Sequence, residues 1–196
     1  MTVRVESLTG ERVAPHLDDL SRLRIEVFRD FPYLYDGSAE YEKRYLSNFS
    51  RSRGSVIVAA FDGDRVVGAA TALPMADEPD IITKPFRSAG YDINGIFYFG
   101  ESVLLRPYRG TGIGVRFFER RESHARSFGT FQWAAFCGVD RPADHRHRPA
   151  DYVPLDRFWE RRGFVRHPEL VSRFSWRDLG DSGETEKPMV YWMKRL

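Results

Sequence analysis

The segment FYFGESVLLRPYRGTGIGVRFFERRESHARSFG, residues 97–129, does most to limit what this chain can fold into. It sets a strand, a glycine-rich turn and an amphipathic helix in immediate succession. Phe97 to Leu105 is apolar and aromatic enough for a buried strand, interrupted by Gly100, Glu101 and Ser102. Arg109-Gly110-Thr111-Gly112-Ile113-Gly114 forms the turn. The helix runs from about Ile113 to Phe128. Val115, Phe117, Phe118, Ser123 and Ala125 supply its buried side, and Gly129 stops it.

A glycine-rich turn that opens a helix suits a phosphate. Without Cβ atoms the backbone can approach a ligand closely and turn its N–H groups inward. The first N–H groups of a helix have no partner within it, and the helix dipole adds positive potential there. Arg109 adds a cation beside the turn. Two phosphate-binding patterns are excluded. A nucleotide P-loop needs a Lys after its glycines, and none stands there. The dinucleotide fingerprint needs G-x-G-x-x-G, whereas the spacing here is G-x-G-x-G.

Composition narrows the class further. Of 196 residues, 42% are hydrophobic and 30% charged, as in a soluble globular protein with one sizeable core. No stretch approaches the ~20 apolar residues of a membrane span. Met1 to Gly10 lacks the apolar run of a signal peptide, and a single cysteine, Cys137, suits a reducing compartment. The expected location is the cytoplasm. A net charge of +2 is too small to argue for nucleic acid.

Along the chain, Val3 to Leu8 reads as a first strand and about Val13 to Phe28 as a helix, with Leu17, Leu20, Arg24, Val27 and Phe28 on one face. The aromatic loop Phe31 to Gly37 leads to a second helix carrying Tyr41, Tyr45, Leu46 and Phe49. Ser55 to Phe61 and Arg65 to Leu73 form an antiparallel hairpin around Asp62-Gly63-Asp64. Residues 74–95 read as a long, turn-rich connection with the properties of a mobile lid. Phe131 to Cys137 is a strand expected parallel to 97–105. An irregular stretch from Gly138 to Pro154, a short helix from Leu155 to Arg162 and a final hairpin of Val165–Trp176 with Pro188–Lys194 complete the chain, with no linker and no repeat.

The central segment resembles motif A of the GNAT superfamily of N-acetyltransferases. That motif reads Arg/Gln-x-x-Gly-x-Gly/Ala, and Arg109, Gly112 and Gly114 match it. Leu104 to Gly110 looks like the family's V-x-P-x-Y-R-G approach. Trp159 to Phe164 stands where the family has Y-x-x-x-G-F, and the order of elements agrees along the whole chain. The resemblance implies an α/β GNAT (acyl-CoA N-acyltransferase) fold. That is a mixed, mostly antiparallel sheet with splayed central parallel strands flanked by helices, in one domain of residues 1–196.

It also implies acetyl-CoA as acetyl donor, no metal, and a primary amine acceptor, a small molecule first and a protein N-terminus or lysine second. The amine would attack directly in a ternary complex. A non-catalytic, CoA-binding regulatory protein is the rival reading, and a homodimer is compatible with either. The pyrophosphate would lie on the N–H groups of Gly110, Thr111, Gly112, Ile113, Gly114 and Val115, with Arg109 beside them. The N–H groups of Val103, Leu104 and Leu105 would face the thioester.

Glu101, a carboxylate inside an apolar strand, is the candidate general base; its alternative is a structural ion pair with an arginine. The family's acid tyrosine is replaced by Trp159, whose indole donates no useful proton, so Tyr152 is the substitute candidate. Phe31, Tyr33, Tyr35 and Asp36 are the expected substrate-loop residues, with aromatic faces and carboxylates, Asp30 included, suited to a cationic amine. Cys137 reads as a small packing residue rather than a nucleophile. The spacing of His145 and His147 matches no zinc pattern.

Overall fold

The computed structural model describes residues 3–196, with Lys43, Arg44, Ser47, Asn48 and Ser50 described by backbone only. Seven strands form one sheet: β1 (Arg4–Leu8), β2 (Val56–Asp62), β3 (Arg65–Pro74), β4 (Ile96–Leu104), β5 (Trp133–Val139), β6 (Val165–Arg177) and β7 (Glu184–Arg195). Their order is β1-β2-β3-β4-β5-β7-β6. Every neighbouring pair is antiparallel except β4 with β5. The helices are α1 (Leu17–Phe28), α2 (Ala39–Arg51), α3 (Asp80–Ser88), α4 (Ile113–Ser127) and α5 (Asp156–Glu160). No helix among the described residues is long and apolar enough to cross a membrane.

Two helical layers cover the sheet. On one face, Arg24 of α1 and Tyr45 of α2 reach Glu101 of β4, and Phe86 of α3 packs edge-on against Tyr191 of β7. On the other, Phe118 of α4 packs on Phe99 and Phe136, and Trp159 of α5 packs on Phe136 and Trp192. Side chains alternate along each strand, so Tyr98 and Cys137 look toward α1–α3 while Phe97, Phe99 and Phe136 look toward α4 and α5.

Three readings of the sequence are corrected. The first helix is preceded by two single 3-10 turns, Gly10–Arg12 and Ala14–His16, because Pro15 sits where its missing N–H is tolerated. The connection at 74–95 contains the helix α3 despite Pro85. Pro85 cannot bond the carbonyl of Ile81 four residues back, and the Ser172 hydroxyl of β6 donates to that oxygen instead. Tyr191 O–H donates to the Ile82 carbonyl at 3.3 Å, and Ile82 and Phe86 are buried. This segment is therefore docked on the sheet rather than hanging over it. Finally, β6 and β7 extend into the polar stretch expected to connect them. Lys187 is buried there, donating to the Trp176 carbonyl at 2.6 Å and pairing with Asp178 at 3.1 Å.

Candidate active site

The sheet opens at its centre. β4 and β5 pair only from Ile96 with Trp133 to Tyr98 with Ala135. Beyond that point β4 stays with β3, and β5 stays with β7 as far as Val139. A gap between two diverging strands is the result, with backbone groups along both rims.

A bulge decides which groups face the gap. Ala72 pairs with Phe99 and Ala70 with Ser102, so Gly100 and Glu101 together oppose Thr71. A Cβ on Gly100 would lie 2.5 Å from Thr71 Oγ1, which is why glycine occupies this position. The extra residue shifts the alternation. Leu105 donates its N–H to the Val67 carbonyl at 3.0 Å. By strand alternation Val103 also faces β3, and Ser102 and Leu104 face the gap. Of the three N–H groups expected to meet a thioester, those of Val103 and Leu105 are thus consumed by β3. Leu104 remains, joined by Ser102, which the sequence reading did not name.

The turn before α4 leaves a run of backbone donors open. Gly110 and Gly112 have φ of +78° and +86°, and a Cβ at either would point into open space. Among the described residues, the N–H groups of Gly110, Thr111, Gly112, Ile113 and Gly114 donate to no protein acceptor. The Thr111 hydroxyl closes the turn on the Tyr108 carbonyl at 2.6 Å. Val115 differs from expectation, because its N–H is taken by the Gly112 carbonyl at 3.1 Å. Arg109 also points elsewhere. Its Nε donates to the Leu104 carbonyl at 3.0 Å and its Nη2 lies 3.3 Å from Asp30, tying the end of β4 to the loop after α1.

Glu101 lies on the α1–α2 face of the gap. Its Oε2 forms an ion pair with Arg24 Nη1 at 2.8 Å and accepts from the Tyr45 hydroxyl at 3.1 Å, and its own N–H donates to Thr71 Oγ1 at 3.2 Å. Burial pushes the Glu101 carboxyl above its ordinary range, and Arg24 opposes that shift. Its Oε1 has no hydrogen-bond partner among the described residues. Arg24 is shared with Glu42, whose Oε2 accepts from Arg24 Nε, and it stacks 4.2 Å over the Tyr45 ring.

Glu78, before α3, is a carboxylate that no pattern in the sequence marked out. Burial, reinforced by the charge of Glu101, raises it to about 8. Cys137 bonds the Tyr98 hydroxyl at 3.2 Å, and burial pushes its thiol to about 12, so it packs as a thiol and supplies no thiolate.

The expected substrate loop covers this face, yet its carboxylates are already paired. Asp36 sits between Arg177 at 2.6 Å and Arg29 at 3.8 Å, and Asp30 binds Arg106 and Arg109. Arg141 clamps the loop through the carbonyls of Pro32 and Tyr33 at 2.9 and 3.0 Å. Tyr33 is packed against Phe28 and Trp176, while Tyr35 pairs as an isolated bridge with Asp178. Phe31 instead turns outward. It meets Tyr152 edge-on at 4.7 Å, and Arg148 lies 4.9 Å over the Tyr152 ring. Tyr152 thus stands, half-buried, between Phe31 of this loop and Arg148. Trp159, on the opposite face, closes on Gly138, where an added Cβ would come within 3.1 Å of the indole.

On the α4 face beneath the bulge lies Arg121, fully buried. Its Nε donates to the Phe117 carbonyl at 3.2 Å, and its Nη1 to the carbonyls of Thr71 and Glu101 at 3.2 and 3.3 Å. Its Nη2 donates to Ser102 Oγ at 2.9 Å. Burial lowers its pKa to about 9, so it stays charged at neutral pH. Nothing in the sequence around it, Glu119 to Ser123, sets it apart from a solvent-facing arginine.

This architecture recurs in solved proteins. It matches a GNAT-family acetyltransferase of Streptococcus pneumoniae (14% identity, TM-score 0.59, all of both chains covered). It also matches the ribosomal-protein-alanine N-acetyltransferase of Brucella melitensis (15%, 0.61, all of both chains). A third match is the PaiA N-acetyltransferase of Thermoplasma acidophilum, solved with coenzyme A (12%, 0.59, all of both chains). No protein-family model matches the sequence, and no curated protein matches it. The chain has the GNAT acetyltransferase fold.

Proposed function

We infer that the protein is an acetyl-CoA-dependent N-acetyltransferase whose acceptor is a small primary amine. The observation that carries this reading is one combination. A turn with five N–H groups that find no acceptor among the described residues stands at the N-terminus of α4, and the gap between β4 and β5 opens beside it. The cradle suits a pyrophosphate by charge and by donor geometry. The gap is wide enough to leave the rims of β4 and β5 without each other, as an inserted pantetheine chain requires. Bound there, the coenzyme would supply an activated acyl group.

The chain's own residues divide the work. The N–H groups of 110–114 hold the diphosphate. Leu104 and Ser102 present N–H groups to the acyl carbonyl, stabilising charge that develops on its oxygen. The amine enters from the α1–α2 side and loses its proton to Glu101. An elevated carboxyl pKa suits that task, and Arg24 and Tyr45 fix its orientation. Glu101 is only about 5% exposed, enclosed by Arg24 and Tyr45, which favours a slim acceptor over a bulky one.

Calorimetric titration of acetyl-CoA tests the coenzyme site. Micromolar binding by the native chain, lost in Gly112→Asp, is the expected result. Release of free thiol with a panel of small primary amines and short peptides then tests the reaction. A folded protein that does not bind acetyl-CoA would overturn the reading.

A further inference from the structure

Arg121 is a buried guanidinium without a carboxylate within ion-pair distance among the described residues. Its donors go to three carbonyls and one hydroxyl. Phe99 and Phe118 cover its faces at 4.3 and 4.9 Å. Burying a cation this deeply is costly unless something negative compensates it. The carbonyls hold it in place but carry only partial charge, and the carboxylates of Glu101 and Glu122 offset its burial from beyond ion-pair distance. Its fourth contact leads outward. Ser102 is exposed, its side chain lies on the α4 face, and its backbone faces the gap between β4 and β5.

The direction of that hydrogen bond matters. A guanidinium can only donate, so Ser102 Oγ accepts from Arg121, and the serine proton is free to point away from it. The hydroxyl is thereby left free to donate, on the exposed α4 face beside the gap, and is polarised by a full positive charge behind it. This is the side on which Trp159 leaves no proton donor at α5. Resting on the acetyl-CoA reading above, the geometry points to Ser102 as a catalytic hydrogen-bond donor to the departing sulfur of coenzyme A, with Arg121 as its positioning residue.

In the step this implies, the amine nitrogen attacks the thioester carbonyl carbon and the C–N bond forms. The C–S bond then breaks with its electron pair passing to sulfur, and the amine proton goes to Glu101. The thiolate is met by the Ser102 hydroxyl, which keeps its proton, and by the field of Arg121. Sequence alone could not pair these two residues, since each looks like an ordinary polar position on its own element.

CoA itself is the probe, so no acceptor need be known. The thiolate absorbance of CoA bound to the full-length protein is titrated, and CoA affinity at pH 6 is measured by calorimetry. In the native chain the bound thiol should ionise about one pH unit below free CoA, as thiols beside a cation do. Ser102→Ala should return most of that shift in a protein that still binds CoA, and Ser102→Thr should keep it. A native complex whose thiol titrates with free CoA, or an alanine variant indistinguishable from native, overturns this inference and leaves the coenzyme site standing. A protein that binds no CoA overturns both.

Discussion

Arg24 Nη1 lies 2.8 Å from Glu101 Oε2, joining the first helix of the chain to the centre of its sheet. The pair holds the candidate base against two opposing influences, burial that raises its pKa and a guanidinium that lowers it. Burial is the stronger, and the carboxyl ends above its ordinary value. For an enzyme using Glu101 as base, kcat/KM should rise with pH through that elevated pKa. Arg24→Gln removes the opposing charge and should move the acidic limb of the profile upward by about one pH unit. A profile that does not move would exclude Glu101 as the titrating group.

Glu78 makes a separate prediction about stability. Its pKa of about 8 in the folded protein exceeds the ordinary value of 4.5. An elevated folded pKa means that the native state holds its proton where the unfolded chain has lost it. The contribution to stability is therefore complete below about pH 4.5 and disappears progressively as pH rises toward 8. Glu78→Gln does not titrate and should escape that loss. We expect it to match the native chain near pH 5 and to exceed it at pH 9 by on the order of 2 kcal/mol. Chemical denaturation at the two pH values measures this, and equal differences at both would count against a buried, proton-holding Glu78.

The bulge on β4 can be tested through Gly100. A methyl group there meets Thr71 Oγ1 at 2.5 Å, and that atom also receives the Glu101 N–H. Gly100→Ala should destabilise by about 1–3 kcal/mol. Thr71→Ala should also destabilise, by about 1 kcal/mol for the lost hydrogen bond. Because the second substitution removes the atom the first collides with, the double variant should cost clearly less than the sum. Urea denaturation of the four proteins closes the cycle, and strict additivity would mean that the bulge relaxes some other way.

Much of the fold was open to reading from residues that act locally. The alternation and apolarity of 97–105, the glycines at 110–114 and the apolar stripe after them produce β4, the turn and α4 within a residue or two of expectation. Pro85 misled, because the cost of a proline in α3 is relieved by Ser172, which lies 91 residues beyond the Ile81 carbonyl that it bonds. The site was legible only in its first layer. Glu101 stood out as a charge in an apolar run, and Arg24, on the buried stripe of α1, carried a hint of its partner. Asp30 and Asp36 looked available for a cationic substrate, whereas arginines at 106, 109 and 177 already occupy them.

The sequence by itself determined the strand–turn–helix and its capacity for a phosphate. Backbone freedom at glycine and side-chain periodicity are properties of adjacent residues and need no partner. Tertiary structure alone decided which N–H groups of β4 face the gap, because the bulge exists only in register with Thr71 of β3. It also decided that Arg121 stands behind Ser102, since a charge on α4 acquires that role only when the helix is laid across the sheet and sealed from water.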